Sequence, residues 1–116
     1  MGDFLKVDID LYNFEDSWTP KYIALKAMPY KPKYHLTKHG IHILIESLPN
    51  NIELRRYFMD CPHRLAMDEE RERRGLPTNV LFVAKNGRKV EETEKIEVVL
   101  NWITIKWRER KKRHMK

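Results

Sequence analysis

Residues 4–11 alternate between apolar and polar side chains, and this restricts the segment to a β-strand with one buried face. One face carries Leu5, Val7, Ile9 and Leu11, and the other carries Phe4, Lys6, Asp8 and Asp10. The two aspartates repel each other unless water, a basic side chain or a divalent cation lies between them. The pattern therefore predicts a strand whose outer face holds a carboxylate pair, either solvated or paired with something positive.

A helix and a hairpin are predicted to follow this strand. Asp16 or Ser17 before a Thr-Pro pair is typical of a helix start. The next large apolar residues fall at helical spacing, and they are Trp18, Tyr22, Leu25 and Met28. Residues 34–37 and 41–47 predict a β-hairpin that turns at Lys38-His39-Gly40.

The second half of the chain predicts a mixture of helices and strands. Residues 52–59 indicate a short helix after a cap at Asn50-Asn51, whereas residues 64–74 fit either a strand or a charged helix. Residues 79–85 predict a strand, and Asn86-Gly87 is a strong hairpin signal. Residues 92–113 space their apolar positions as a helix does, although they are rich in β-branched residues. The expectation is one compact α+β domain, with an antiparallel or mixed sheet and helices packed on one face.

Composition excludes several classes of protein. The 116 residues suffice for a single domain, and no apolar run is long enough to span a membrane. The lone Cys61 excludes an internal disulfide and a cysteine-cluster zinc site. The N-terminus lacks an apolar signal segment, so a cytoplasmic protein is expected, in the host cytoplasm if the source is viral. The absence of glutamine favours a thermophilic source.

The positive charge of the chain is concentrated at its C-terminus. Residues 106–116 hold seven basic residues and one acid, which together equal the whole formal net charge of +6. Such a block is either a solvated end or a surface that binds nucleic-acid phosphates. We therefore divide the chain into a core domain, residues 1–105, and a basic tail, residues 106–116. The expected phosphate-contacting residues are Arg108, Arg110, Lys111, Lys112 and Arg113, with Lys89 from the second hairpin.

Three short segments resemble the motifs of the archaeo-eukaryotic primase superfamily, the primase-polymerases. Residues 4–12 resemble the first motif, a strand that carries two metal-binding aspartates. Residues 37–45 resemble the second motif, in which a glycine precedes a histidine that contacts the nucleoside triphosphate. Met67-Asp68 resembles the third motif, a hydrophobic residue followed by an acid. Residues 64–71 and 79–82 also resemble small proteins of archaeal viruses and plasmids.

The resemblance implies a primase-core-like, RRM-like fold and a minimal nucleotidyltransferase of an archaeal mobile element. It implies catalytic roles for Asp8, Asp10, His42 and Asp68, with the three aspartates binding Mg²⁺ or Mn²⁺. The expected substrates are nucleotides and nucleic acid, with DNA favoured over RNA. The oligomeric state stays open.

Two other functions remain open at this stage. One is a nucleic-acid-binding protein of the same ancestry without catalytic activity, because the basic tail does not depend on the carboxylates. The other is a metal-dependent or rolling-circle-type nuclease with Tyr57 as the nucleophile. For Trp102 and Trp107, base stacking and core packing are both open.

Overall fold

The computed structural model describes residues 4–76, 78, 84–85, 88–89 and 91–114, and it has the α+β fold that the sequence predicts. The strands are β1 (Phe4–Asp10), β2 (Lys33–Leu36), β3 (Gly40–Pro49), β4 (Ala84–Lys85), β5 (Arg88–Lys89) and β6 (Glu91–Thr93). The helices are α1 (Trp18–Ala27), α2 (Ile52–Tyr57), α3 (Pro62–Arg73) and α4 (Ile96–His114). Single 3₁₀ turns follow β1 and α1, at Leu11–Asn13 and Met28–Tyr30.

Four strands form one antiparallel sheet in the order β1-β3-β2-β6. The predicted hairpin of β2 and β3 is confirmed, and β1 pairs with the other side of β3. Strands β4 and β5 form a separate antiparallel pair, and the predicted Asn86-Gly87 turn between them lies outside the described residues. Because β3 has partners on both sides, residues from three strands meet across the middle of the sheet.

The core covers one face of this sheet. Its strand residues are Leu5, Val7, Ile9, Tyr34, Leu36, Ile41, Ile43 and Ile45, and all are buried. Helices α1 and α4 pack on them and on each other through Ile23, Ala24, Ala27, Val99 and Ile103. The predicted inward face of β1 is confirmed, since its side chains are fully buried. Helices α1 and α4 therefore lie in one layer on the same side of the sheet.

The outer edge of β1 is covered by the segment between α2 and α3. The backbone N–H of Asp8 donates to Oδ1 of Asp60 at 2.8 Å, and the N–H of Cys61 donates to the carbonyl of Asp8 at 3.0 Å. These bonds satisfy backbone groups that an edge strand otherwise exposes for pairing with another chain.

Three elements differ from the sequence prediction or settle an alternative. Residues 64–73 belong to a helix, α3, rather than to a strand. The last helix begins at Ile96, because Glu91–Thr93 pairs with β2 as an edge strand before it. Helix α4 continues to His114, so the predicted boundary between residues 105 and 106 falls inside a helix. Residues 106–114 of the basic tail therefore form the C-terminal half of a helix that the core holds in place.

Helix α1 forms where the sequence predicts it. Oδ1 of Asp16 accepts the backbone N–H of Thr19 at 2.7 Å, and this bond holds the pKa of Asp16 below its ordinary value. The stripe of large apolar residues that predicts the helix nevertheless faces solvent, and the small residues Ala24 and Ala27 face the core. None of the helices in the described part of the chain is both long and apolar enough to cross a membrane.

Candidate functional site

The face of the sheet opposite the core brings together three of the four predicted catalytic residues. Asp8 and His42 are direct partners across β1 and β3, with Nε2 of His42 3.4 Å from Oδ1 of Asp8. Asp10 is the partner of Gly40 on the same face. Both side chains of the Asp8–His42 pair are mostly buried, at 23% and 15% exposed, which strengthens their electrostatic interaction relative to water.

Gly40 makes this approach of the two strands possible. A Cβ at this position would lie 1.9 Å from the carbonyl oxygen of Ile9. The sequence predicts Gly40 as a turn residue. In the structure it is instead the first residue of β3, and it is buried. Its small size sets the register that places His42 opposite Asp8.

The Asp10 carboxylate has a structural bond of its own. Its Oδ1 accepts the backbone N–H of Tyr12 at 2.9 Å and thereby caps the 3₁₀ turn after β1. One of the two predicted metal-binding aspartates of β1 thus helps to turn the chain toward α1.

The row of ionisable groups extends beyond the predicted residues. His35 on β2 is the partner of His42, and Glu92 on β6 is the partner of His35. Nε2 of His35 lies 2.7 Å from Oε1 of Glu92, and His35 is almost completely buried. Asp8, His42, His35 and Glu92 therefore form one row across the four strands. The predicted hairpin, with its turn at residues 38–40, would place His42 opposite Leu36, whereas the observed turn over residues 37–40 places it opposite His35.

Asp68 does not join this row, which corrects its predicted role as a metal ligand beside Asp8 and Asp10. It is 4% exposed on α3, and its Oδ2 lies 2.7 Å from Nη1 of Arg55. Nε of the same arginine lies 2.6 Å from Oδ2 of Asp60. A buried carboxylate paired with an arginine already has its counter-charge. Sequence inspection missed Arg55, which is completely buried and lies thirteen residues before Asp68.

The described side chains do not fit the predicted two-cation site. Such a site needs several carboxylate oxygens converging on each Mg²⁺ or Mn²⁺. Within residues 4–76, 78 and 91–111, no three side chains of Asp, Glu, His or Cys are grouped so that they could hold an ion. Asp8 has a histidine beside it, Asp10 caps a turn, and Asp68 is paired with an arginine.

The predicted phosphate-contacting residues on α4 divide into two groups. Arg108 and Lys111 are exposed. Arg110 instead turns inward, where Nη1 and Nη2 donate to the carbonyls of Phe14 at 2.7 Å and Tyr12 at 3.2 Å. Lys112 and Arg113 belong to α4, but their side chains lie outside the described part, as does the side chain of Lys89. Arg110 thus fixes the basic half of α4 against the chain that leads into α1.

A small cleft lies between this half of α4 and two loops of the sheet. We call it the basic cleft, and it is lined by Leu11, Tyr12, Lys38, His39, Lys106, Glu109 and Arg110. Its volume is about 150 Å³. Glu109, which is the acid among these residues, lies 3.2 Å from Nζ of Lys106. The cleft therefore has an excess of positive charge.

Trp102 holds the cleft together. Its Nε1 donates to the carbonyls of Thr37 and Gly40, both at 3.1 Å, and so ties the β2–β3 turn to α4. The Trp102 ring packs against the core, and Nζ of Lys106 lies 4.5 Å from its centroid. Trp102 is thus a packing residue that positions Lys38 and His39 beside the basic helix.

No family model matches the sequence, and no match to it is found among curated proteins or among solved structures.

Proposed function

We propose that the protein binds nucleic acid through the sugar–phosphate backbone, at the end of the molecule formed by the basic cleft and the last turns of α4. The observation that carries the proposal is the position of the charge. Residues 106–116 supply the whole formal net charge of +6, and the structure extends residues 106–114 as a helix beside Lys38 and His39. Positive groups concentrated at one end attract a polyanion and release its counterions on binding.

The local contacts support phosphate binding rather than pairing within the protein. Arg108 and Lys111 point to solvent, while Lys106 pairs with Glu109 within α4 and Arg110 anchors the helix to the carbonyl of Phe14. A rigid helix presents its exposed cations at fixed positions, so less side-chain and backbone freedom is lost on binding than for a frayed tail.

The test is the salt dependence of binding. Binding is measured from the anisotropy of a labelled oligonucleotide between about 50 and 200 mM salt. Each phosphate contact contributes about 0.9 to the slope of log affinity against log salt on duplex DNA. We expect Arg108→Ala/Lys111→Ala to lower this slope by about 2 and to weaken binding equally for different sequences. Binding by the unaltered protein should persist in EDTA.

A matched control removes the same charge elsewhere. Arg73 at the end of α3 and Arg74 directly after it are exposed, and both form ion pairs with Glu70. Arg73→Ala/Arg74→Ala lowers the net charge as much as the α4 double variant does, yet it should leave the slope unchanged. If the two double variants weaken binding alike, net charge rather than the basic end accounts for it, and the proposed site is wrong.

Nucleotidyl transfer and tyrosine-dependent DNA cleavage stay predictions from the sequence. The contact between Asp8 and His42 favours the first, while the pairing of Asp68 with Arg55 removes its third carboxylate. For the second, Tyr57 is half exposed at the end of α2 and lies under Nζ of Lys26, 3.6 Å from its ring centroid. Phosphate binding requires neither a third carboxylate nor a tyrosine nucleophile, and it is therefore the function that the arrangement supports best.

A further inference from the structure

Helix α1 exposes a row of large apolar side chains that the fold does not use. Trp18 is 75% exposed and Tyr22 is 63% exposed, and the row continues through Leu25 to Met28, the residue directly after α1. We call these four residues the α1 aromatic face. Single exposed apolar residues are ordinary, but a contiguous row along one helix is typical of a binding surface.

Both charged residues within α1 are basic, and the acidic Glu15 and Asp16 lie just before the helix. The helix contains Lys21 and Lys26 and no acidic residue. Nζ of Lys21 lies 5.0 Å from the ring centroid of Trp18, and Nζ of Lys26 lies 5.9 Å from that of Tyr22. A surface of aromatic rings and cations is complementary to a ligand that offers flat bases and negative phosphates. A second copy of the same face would instead bring lysines against lysines.

The basic end of the molecule contacts the chain that leads into the α1 aromatic face. Helices α1 and α4 pack side by side on one face of the sheet, so their outer sides face the same solvent. Arg110 of α4 donates to the carbonyl of Phe14, four residues before Trp18. The chain therefore enters α1 from the basic end, and Trp18 and Lys21 are in the first turn.

The spacing of the two rings distinguishes paired from unpaired strands. Trp18 and Tyr22 are four residues apart, which corresponds to about 6 Å along a helix axis. Successive nucleotides of one strand in a duplex rise by only about 3.4 Å, and their base faces are covered by stacking. Only an extended strand with unpaired bases can place neighbouring bases on both rings.

We propose that the protein binds single-stranded nucleic acid, with bases stacked on Trp18 and Tyr22 and the backbone continuing to the basic end. This inference rests on the proposed function, because it assigns the class of nucleic acid that the same surface takes. The basic end supplies affinity for any strand, and the α1 aromatic face adds affinity only for unpaired bases.

The experiment compares a labelled single strand with the duplex of the same sequence at one salt concentration. We expect Trp18→Ala/Tyr22→Ala to bind the single strand about ten- to a thousandfold more weakly, the loss expected for one or two stacked bases. Duplex binding should be unchanged. Trp18→Phe/Tyr22→Phe keeps a ring at both positions and should retain most of the single-strand affinity.

Leu25→Ala/Met28→Ala is the matched control, since it removes apolar side chains from the same face without removing a ring. It should change single-strand binding by less than about threefold. All these side chains are exposed, so urea unfolding curves should show every variant folded.

Three results would overturn the inference. One is unchanged single-strand binding in Trp18→Ala/Tyr22→Ala, and another is an equal loss for single strand and duplex. The third is a dimer in sedimentation that this variant converts to a monomer, which would make the face an interface between two copies. A failure of the proposed function looks different, because the unaltered protein would then show no salt-dependent binding to either strand form, and both proposals would fall.

Discussion

Replacing Asp68 by alanine distinguishes a structural carboxylate from a catalytic one. In the structure Asp68 neutralises Arg55, whose side chain is completely buried, through Nη1, and Asp60 neutralises the same guanidinium through Nε. The Asp68→Ala variant leaves this arginine with one carboxylate instead of two. A metal-binding carboxylate behaves in the opposite way, because its removal relieves repulsion among acids and commonly stabilises a protein without its metal.

The magnitude follows from the burial of the pair. Breaking a buried ion pair by removing one partner costs about 3–5 kcal/mol. We expect the lower end, about 3 kcal/mol, because Asp60 remains 2.6 Å from Nε of Arg55. A chain of 116 residues has a total stability of roughly 6–17 kcal/mol, so this loss is a large fraction of it. With a urea dependence of about 1.5 kcal/mol per molar, the unfolding midpoint should fall by about 2 M.

The assay is urea unfolding, monitored by circular dichroism, with Glu69→Ala as the control. Glu69 is the next residue on α3 and pairs with Arg56 on the surface, where such pairs contribute about 0–1 kcal/mol. Midpoints are measured in EDTA and in Mg²⁺. If Asp68→Ala unfolds within about 0.5 M of the unaltered protein, or if Mg²⁺ stabilises only the unaltered protein, the structural account of Asp68 is refuted.

Three further predictions concern the sheet and its outer face. Gly40→Ala should lower stability by about 2 kcal/mol, because its Cβ would lie 1.9 Å from the carbonyl oxygen of Ile9; an unchanged thermal midpoint would contradict the close approach of the strands. Burial raises the pKa of Tyr34 to about 12, above its usual 10.0. The contribution of its neutral side chain to the free energy of unfolding is therefore complete below pH 10 and is lost as the pH rises through 12. Between pH 10 and 12 the unfolding midpoint should fall more steeply for the unaltered protein than for Tyr34→Phe. Parallel curves for the two proteins would contradict the raised pKa of Tyr34. Finally, we expect no nucleotide incorporation on primed DNA in Mg²⁺ or Mn²⁺, and a product that Asp8→Ala/Asp10→Ala abolishes would establish the primase-polymerase prediction instead.

In helix α1, the periodicity of the sequence predicts the helix but not which side of it is buried. The spacing of its large apolar residues predicts a helix, and the helix is there. The same spacing does not say which side is buried, and the core takes the side with Ile23, Ala24 and Ala27. Small side chains let the helix backbone approach the sheet and α4 closely, which Trp18 cannot do. The buried side depends on the neighbouring elements, and no local pattern contains them.

The candidate site divides in the same way. The alternation in β1 and the hairpin signal at residues 38–40 correctly predict the strands that carry Asp8 and His42. These two strands are neighbours because β1 pairs with the edge of β3 that β2 does not occupy. The contact between Asp8 and His42 joins residues more than thirty positions apart. Asp68 shows the opposite outcome, because its nearest charge is an arginine on another helix rather than the aspartates it was expected to join.

The sequence by itself determined β1 and its inward face, the hairpin of β2 and β3, helices α1 and α2, and the concentration of positive charge at one terminus. These follow from local geometry and composition, which depend only on nearby residues. Only the tertiary structure decided that Arg55 neutralises Asp68, that His35 continues the row of His42, and that the α1 aromatic face stays exposed. The physical reason is that burial and charge pairing depend on which distant segments meet, and those meetings are settled by how the whole chain packs.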